Sequence, residues 1–461
     1  MIRAARRLLL IPAVGFLMLG APALALDSTP APPPSTTDVP LALPTDAAAG
    51  TRAEANAPAD LVGVRWSGDA QAEFKVEVQR PGSARWEDAG TLGGDDIGPD
   101  ADSPDARSSV VARDGANVSE PVWVGDATDV RVTVVNGVTD AVSVVAVTSE
   151  SQGAPSGSAG ALGPLSLPDG PDRFGFAIAL VLGGVLLGAV AVGWSPWRSR
   201  RQIALLAVLA LAVLAACDPP PPPSPNTTNA PQPPITMRSS WGPDLPWNPS
   251  PDCAPGPTVA TSVKFAVVHH TVNSNTYGPN DSRAMVRAIW AFHTNPSGWN
   301  YCDIAYNFLV DRYGQIFEGR MGGIDKAVVA AHAGGFNTSS TGVALIGSFS
   351  TEQPPQAQWS SLVDLLAWKL SLHHVDPSAG FTTTAGSFSG SKFAAGASVS
   401  FPNAIVGHQD VDFTECPGAA FYPRLAELRS AVQPKIGWDG NAPTTTTTTT
   451  VPSTTTSTTK R

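Results

Sequence analysis

Three residues far apart in the chain are of types that could do chemistry together: His269 in "VVHHT", and His408 and Cys416 in "GHQDVDFTECPG". Two imidazoles and a thiolate suit zinc, and three protein ligands leave a fourth tetrahedral position for water or substrate, the arrangement that separates catalytic from structural zinc. His408 and Cys416 are eight apart and follow no single helical face, so they read as loop groups converging on one point, with Pro417 and Gly418 ending the run. All seven histidines of the chain lie between positions 269 and 408. The competing use for a cysteine in an exported protein is a disulfide, and the four cysteines allow three pairings. Cys253 and Cys302 are the favoured bridge, because both flank the early half of the globular region and neither neighbours a histidine-bearing loop. For Cys416, metal and disulfide both remain open at this point, with metal favoured.

The elements around these residues must hold them still. "KFAVV" (264–268) reads as a buried strand, which places His269 at a rigid sheet edge. "RAMVRAIWAFH" sets Met285, Val286, Ile289, Trp290 and His293 at helical spacing. "AYNFLVD", "QIFEG" and "GVALIGSF" read as further strands, and "QAQWSSLVDLLAWKLSLHH" and "AAFYPRLAELRSAV" as amphipathic helices. The Gly/Ser-rich stretch 380–401 reads as a hairpin on the way to His408. The expectation for 236–438 is therefore an α/β domain, a mixed sheet covered by helices.

The rest of the chain is organised differently. With 44 Pro and 43 Gly in 461 residues, folded islands joined by linkers are expected. Residues 1–25 carry Arg3, Arg6 and Arg7 before an apolar run and end on Ala23-Leu24-Ala25, the pattern of a signal peptide. Residues 50–150 hold four β-rich runs, "LVGVRWSG", "EFKVEVQR", "VRVTVVNG" and "AVSVVAVT", and read as a smaller all-β N-terminal domain, a sandwich with an accessory role. Eighteen acidic against eight basic residues in 51–150 account for the net charge of −10, and no basic patch suggests nucleic acid.

Residues 174–193 are twenty apolar positions, enough for a transmembrane helix, and the basic cluster after them favours the cytoplasmic side. The second apolar segment, 203–217, either completes a transmembrane hairpin or ends in a lipobox-like "LAAC" whose Cys217 is a lipidation candidate. A Pro-rich linker (218–235) and a Thr-rich tail (439–461) bracket the globular region. Together these features predict a membrane-anchored protein of the cell envelope whose C-terminal domain lies outside the cytoplasmic membrane.

"RSSWG" (238–242), "VVHHT", "GWNYCDIAYNFLVD", "GRMGG", "AAHAGGFNTSSTGVALIG" and "GHQDVDFTECPG" occur in the order seen in the peptidoglycan recognition protein family, which includes zinc N-acetylmuramoyl-L-alanine amidases. The region resembles that family over about two hundred residues. The resemblance implies that zinc is held by His269, His408 and Cys416, and that full retention of the ligands marks the catalytic branch. It places Tyr306 and Thr414 beside the metal as catalytic groups, with Thr in a position that is Lys in some members. It places His293, Trp299, Arg320, His332 and Asn337 in the groove that binds the muramyl peptide, where Arg320 could pair with a stem-peptide carboxylate. The implied reaction is hydrolysis of the amide between N-acetylmuramic acid and L-alanine in peptidoglycan. A non-catalytic peptidoglycan-binding receptor is the alternative. No "HExxH" occurs, so a helix-borne glutamate base is absent. Asp410 and Asp412 read as groups that orient a ligand histidine or cap the loop.

Overall fold

The computed structural model describes residues 32–94, 98–149 and 230–436. The signal-like segment, both apolar segments with Cys217, and the tail lie outside the described residues. No helix among the described residues is long and apolar enough to cross a membrane.

The N-terminal unit is built on strands β1 (Ser35–Pro40), β2 (Arg52–Gly68), β3 (Glu73–Gln79), β4 (Glu87–Leu92), β5 (Asn117–Val118), β6 (Val122–Asn136) and β7 (Thr139–Thr148). In β3 the alternation is plain: Phe74, Val76 and Val78 are buried while Glu73, Lys75 and Glu77 are not, as a sheet with one covered face requires. The strands form one antiparallel sheet, ordered β1-β7-β2-β6-β3-β4 with β5 on β2. A sandwich was expected; the strands are joined in one hydrogen-bonded path, and the residues on its buried face pack on one another, with Val62, Val64 and Trp66 in one cluster with Phe74, Val76 and Val132. The unit also begins before residue 50, since Ser35 pairs with Thr148. Nor is it purely β: between β4 and β6 the chain leaves the sheet in an excursion that carries two single-turn helices, α1 (Pro104–Ser108) and α2 (Val110–Asp114). The excursion is started by Ser103, whose hydroxyl accepts from the Ala106 N–H and so caps α1.

The C-terminal unit contains β8 (Ile235–Thr236), α3 (Arg238–Trp241), β9 (Phe265–His270), α4 (Asp281–Thr294), β10 (Phe308–Val310), β11 (Ile316–Glu318), β12 (Ser340–Leu345), α5 (Gln356–Leu372), β13 (Phe381–Thr384), β14 (Ser398–Phe401), β15 (Ile405–Gly407) and α6 (Leu425–Val432). Its sheet is mixed, ordered β15-β9-β12-β10-β11-β8. The pairs β15/β9, β9/β12 and β12/β10 run parallel, and β10/β11 antiparallel. The strands are apolar on both faces because helices cover both. Leu309 and Ala344 join a cluster with α4, whereas Phe308, Val310, Val343 and Leu345 join one with α5 and α6. The end of the Pro-rich stretch belongs to this fold, since Ile235 pairs with Ile316 and the Ala230 N–H donates to Ser371.

Cys253 and Cys302 form the expected disulfide, with Cα atoms 5.3 Å apart. The "RSSWG" motif is explained by burial: Arg238 pairs with Asp303 at 2.9 Å and donates to the carbonyls of Gly319 and Leu245. β13 and β14 form the anticipated hairpin.

The two units share a core. Leu61, Val145 and Val147 of the N-terminal sheet pack in one cluster with Met285, Ile289 and Phe292 of α4. Gly63 allows the approach, because a Cβ there would stand 2.3 Å from the Phe292 ring. Separate islands on a linker were expected from composition; the burial of α4 against β2 and β7 is tertiary and leaves no compositional trace.

Candidate metal centre

Period-two alternation along β9 puts Phe265, Val267 and His269 on one face and Ala266, Val268 and His270 on the other. His269 is thus delivered to its place by a strand paired on both edges. β15 runs beside β9 and ends at Gly407, so the next residue, His408, emerges next to His269, and the two ring centroids lie 4.5 Å apart. The loop that follows folds back on itself, the Gln409 N–H donating to the Cys416 carbonyl at 2.8 Å, and just beyond Cys416 the chain is seated by Gly418, at φ +98° with its missing Cβ 2.4 Å from the Phe349 backbone. That return carries Cys416 to the same point. The donor atoms of His269, His408 and Cys416 all lie within 4.8 Å of one another, and all three residues are buried. Cys416 takes no part in a disulfide.

The donor atoms are assigned by their neighbours. His408 gives Nε2 to the Asp412 carboxylate at 3.0 Å, which leaves Nδ1 buried with no hydrogen-bond partner. His269 has Nε2 against His332 Nδ1 at 3.0 Å and turns Nδ1 toward the Cys416 sulfur at 3.7 Å. A buried imidazole nitrogen without a partner is costly, and a cation accepted by two Nδ1 atoms and a thiolate would satisfy it. The donor set therefore fits a zinc-type ion. Burial, reinforced by His408 and His332, holds the pKa of His269 well below the usual histidine value, which keeps its imidazole in the neutral form that a metal would require. Asp412 is pushed up by burial, an effect that its bond to His408 opposes.

The groups expected beside the metal divide into two sorts. The Tyr306 ring is buried with its centroid 5.3 Å from that of His269. Thr414 sits on the ligand loop, and its hydroxyl accepts from the Cys416 N–H at 3.0 Å, which leaves its proton free to donate elsewhere. His332 is placed behind the centre rather than in a groove. It is fully buried, with Nδ1 on His269 and Nε2 on the Ser340 hydroxyl at 3.2 Å, so it orients a ligand. His293 is likewise buried and held neutral by desolvation and by Arg320; its Nδ1 accepts from the Ala305 N–H and its ring stacks on Trp299 at 4.2 Å.

Trp299, Arg320 and Asn337 all meet the N-terminal unit. Trp299 Nε1 donates to the Ser119 carbonyl at 3.2 Å, Arg320 pairs with Asp105, and Asn337 Nδ2 donates to the Gly98 carbonyl at 2.9 Å. Sequence reasoning did not single out Asp100, Asp105 or Ser340. The two aspartates stand in an acidic stretch that looks like solvated loop, and partners more than two hundred residues away give them no local signal.

Residues 259–419 match the family model described as N-acetylmuramoyl-L-alanine amidase, and this unit is similar to peptidoglycan-recognition proteins. Among relatives, peptidoglycan-recognition protein LB of Drosophila melanogaster is 28% identical over 193 residues, 42% of this chain and 67% of its own length. A second peptidoglycan-recognition protein of the same species is 29% identical over 184 residues, 40% of this chain and 81% of its own. The solved structure of Drosophila PGRP-LB aligns with 42% of this chain and 92% of its own at 26% identity, with a TM-score of 0.31.

Proposed function

We propose that the C-terminal unit is a zinc-dependent amidase that hydrolyses the bond between N-acetylmuramic acid and L-alanine in peptidoglycan. The observation that carries this reading is the buried triad of His269, His408 and Cys416, whose donor atoms converge while His408 Nδ1 lacks any other partner. Zinc bound there would supply Lewis acidity toward an amide carbonyl and a nucleophile at neutral pH.

The chain's own residues do the rest. Asp412 fixes the tautomer of His408, and His332 with Ser340 fixes that of His269. The Thr414 hydroxyl, at the rim of the ligand loop, is placed to donate toward oxygen charge that develops as the carbonyl is attacked, and Tyr306 flanks His269 on another side. Asp412 is committed to His408, which removes it as the proton acceptor. Arg320 and Asn337 present donors suited to the carboxylates and carbonyls of a stem peptide. We further propose that the apolar segments 174–193 and 203–217 anchor this activity to the membrane on the outer side.

The test is zinc content and muropeptide release by the detergent-solubilised full chain beside Cys416→Ala. One zinc per chain and new L-alanine amino termini, both lost in the variant, are expected. Zinc-free protein that binds intact peptidoglycan without releasing L-alanine termini would instead establish the receptor.

A further inference from the structure

The excursion between β4 and β6 is held by two kinds of contact with different chemistry. The sheet that carries it is fixed to α4 by apolar packing, with Leu61, Val145 and Val147 against Ile289 and Phe292. The excursion itself, from Gly98 to Glu120, buries Val110, Ala116 and Val118 in that same cluster, but its contacts along Gly98–Ser108 and at Ser119 are polar, and each donor named on the C-terminal unit meets a peptide carbonyl or a carboxylate. Arg320 meets the Asp105 carboxylate, which also accepts from the Cys302 N–H at 2.8 Å. Asn337 Nδ2 meets the Gly98 carbonyl and Asp100, and Asp100 also takes the Gly335 N–H at 2.8 Å. Trp299 Nε1 meets the Ser119 carbonyl, and Asn300 Nδ2 the Ser108 carbonyl.

Carbonyls and carboxylates at intervals along one chain are also what a peptidoglycan stem peptide presents. Gly98 is pressed onto the Phe388 ring so tightly that a Cβ would stand 2.0 Å away. The N-terminal sheet also faces the loop that carries Cys416. A cavity of about 480 Å³ beside Cys416 has Thr414 and His270 on one wall and Glu73, Gly94 and Glu120 on the other.

We propose that the excursion Gly98–Glu120 is an intramolecular competitor: it fills the muramyl-peptide groove with substrate-like acceptors and keeps the chain in a low-activity form until it is displaced. This rests on the reading of the groove as a muramyl-peptide site, though not on turnover there. Arg320 and Asp105 are 3% and 4% exposed. A substrate carboxylate can therefore reach Arg320 only by taking the place of Asp105.

The experiment uses the full chain in detergent and a fluorescent muramyl tripeptide. Binding is read in a His269→Ala background, where no turnover intervenes, and hydrolysis in the parent. Asp105→Ala, Asp100→Ala and the double variant should each bind the peptide more tightly, by at least about tenfold in the double variant, because apparent affinity scales with the fraction of open groove. KM should fall by the same factor with kcat unchanged. A contact that merely stabilised the fold would give lower activity and an unchanged KM. Hydrogen exchange on the wild-type chain supplies a measurement that needs no variant: saturating tripeptide should accelerate exchange across 98–120.

Equal affinity in wild type and variants, or a bound peptide that leaves exchange at 98–120 unchanged, overturns the proposal while leaving the amidase intact. Tighter binding by the variants with no L-alanine termini released sustains the competitor and removes the amidase. A chain that binds no peptide in any variant overturns the competitor as well.

Discussion

His408 reaches the centre through Nδ1 because Asp412 takes its other nitrogen, and both side chains are fully buried. A carboxylate in that position fixes ring orientation and raises the basicity of the ligand. Asp412→Ala is therefore expected to weaken zinc binding by about 10–100-fold without abolishing it, measured by competition with a chromogenic chelator; an unchanged affinity would mean that Asp412 serves only the loop. At this scale much was legible. The resemblance brought His269, His408 and Cys416 together as a candidate set, and their donor atoms converge; "HQDVD" offered Asp412 as a group that orients a histidine or caps the loop. His332 was misassigned to the groove, since a histidine motif does not say whether its ring faces a ligand or a substrate. That is decided by Ser340 and by the 3.0 Å contact with His269.

The loop after β15 does for Cys416 what β9 does for His269, but without a sheet to stiffen it. It is closed by the Gln409 N–H on the Cys416 carbonyl and anchored just past Cys416 by Gly418, which combines a left-handed backbone with contact against the backbone of Phe349. A side chain there must both enter a disfavoured conformation and displace main chain. Gly418→Ala should cost about 1–3 kcal/mol of stability and move Cys416 out of register, so that the urea midpoint and the zinc stoichiometry fall together. Loss of stability with full zinc occupancy would show that Cys416 is positioned by other contacts. Elements with strong periodicity, such as α4, α5 and β9, could be read from sequence, because their apolar spacing is set by the faces they bury. The short strands β10 and β11, three residues each, were found only as parts of longer apolar runs.

Across the whole molecule, the N-terminal sheet and the C-terminal unit are expected to unfold as one. Phe292 is fully buried between them, against Gly63 on one side and Trp299 on the other. Phe292→Ala should cost about 3–5 kcal/mol and lower a single calorimetric transition of the full chain. Two separated transitions, only one of them shifted, would show that the shared core does not couple the units. This union was invisible in the sequence. Asp105 and Arg320 are 215 positions apart, and neither residue carries a mark of the other. A competitor borne on the same chain as its target has one more property. A separate inhibitor dissociates on dilution, but here the ratio of occupied to open groove is an internal equilibrium that total protein concentration does not enter. Specific activity should thus stay flat over any range of enzyme concentration, and crowding at a surface would not by itself switch the protein on.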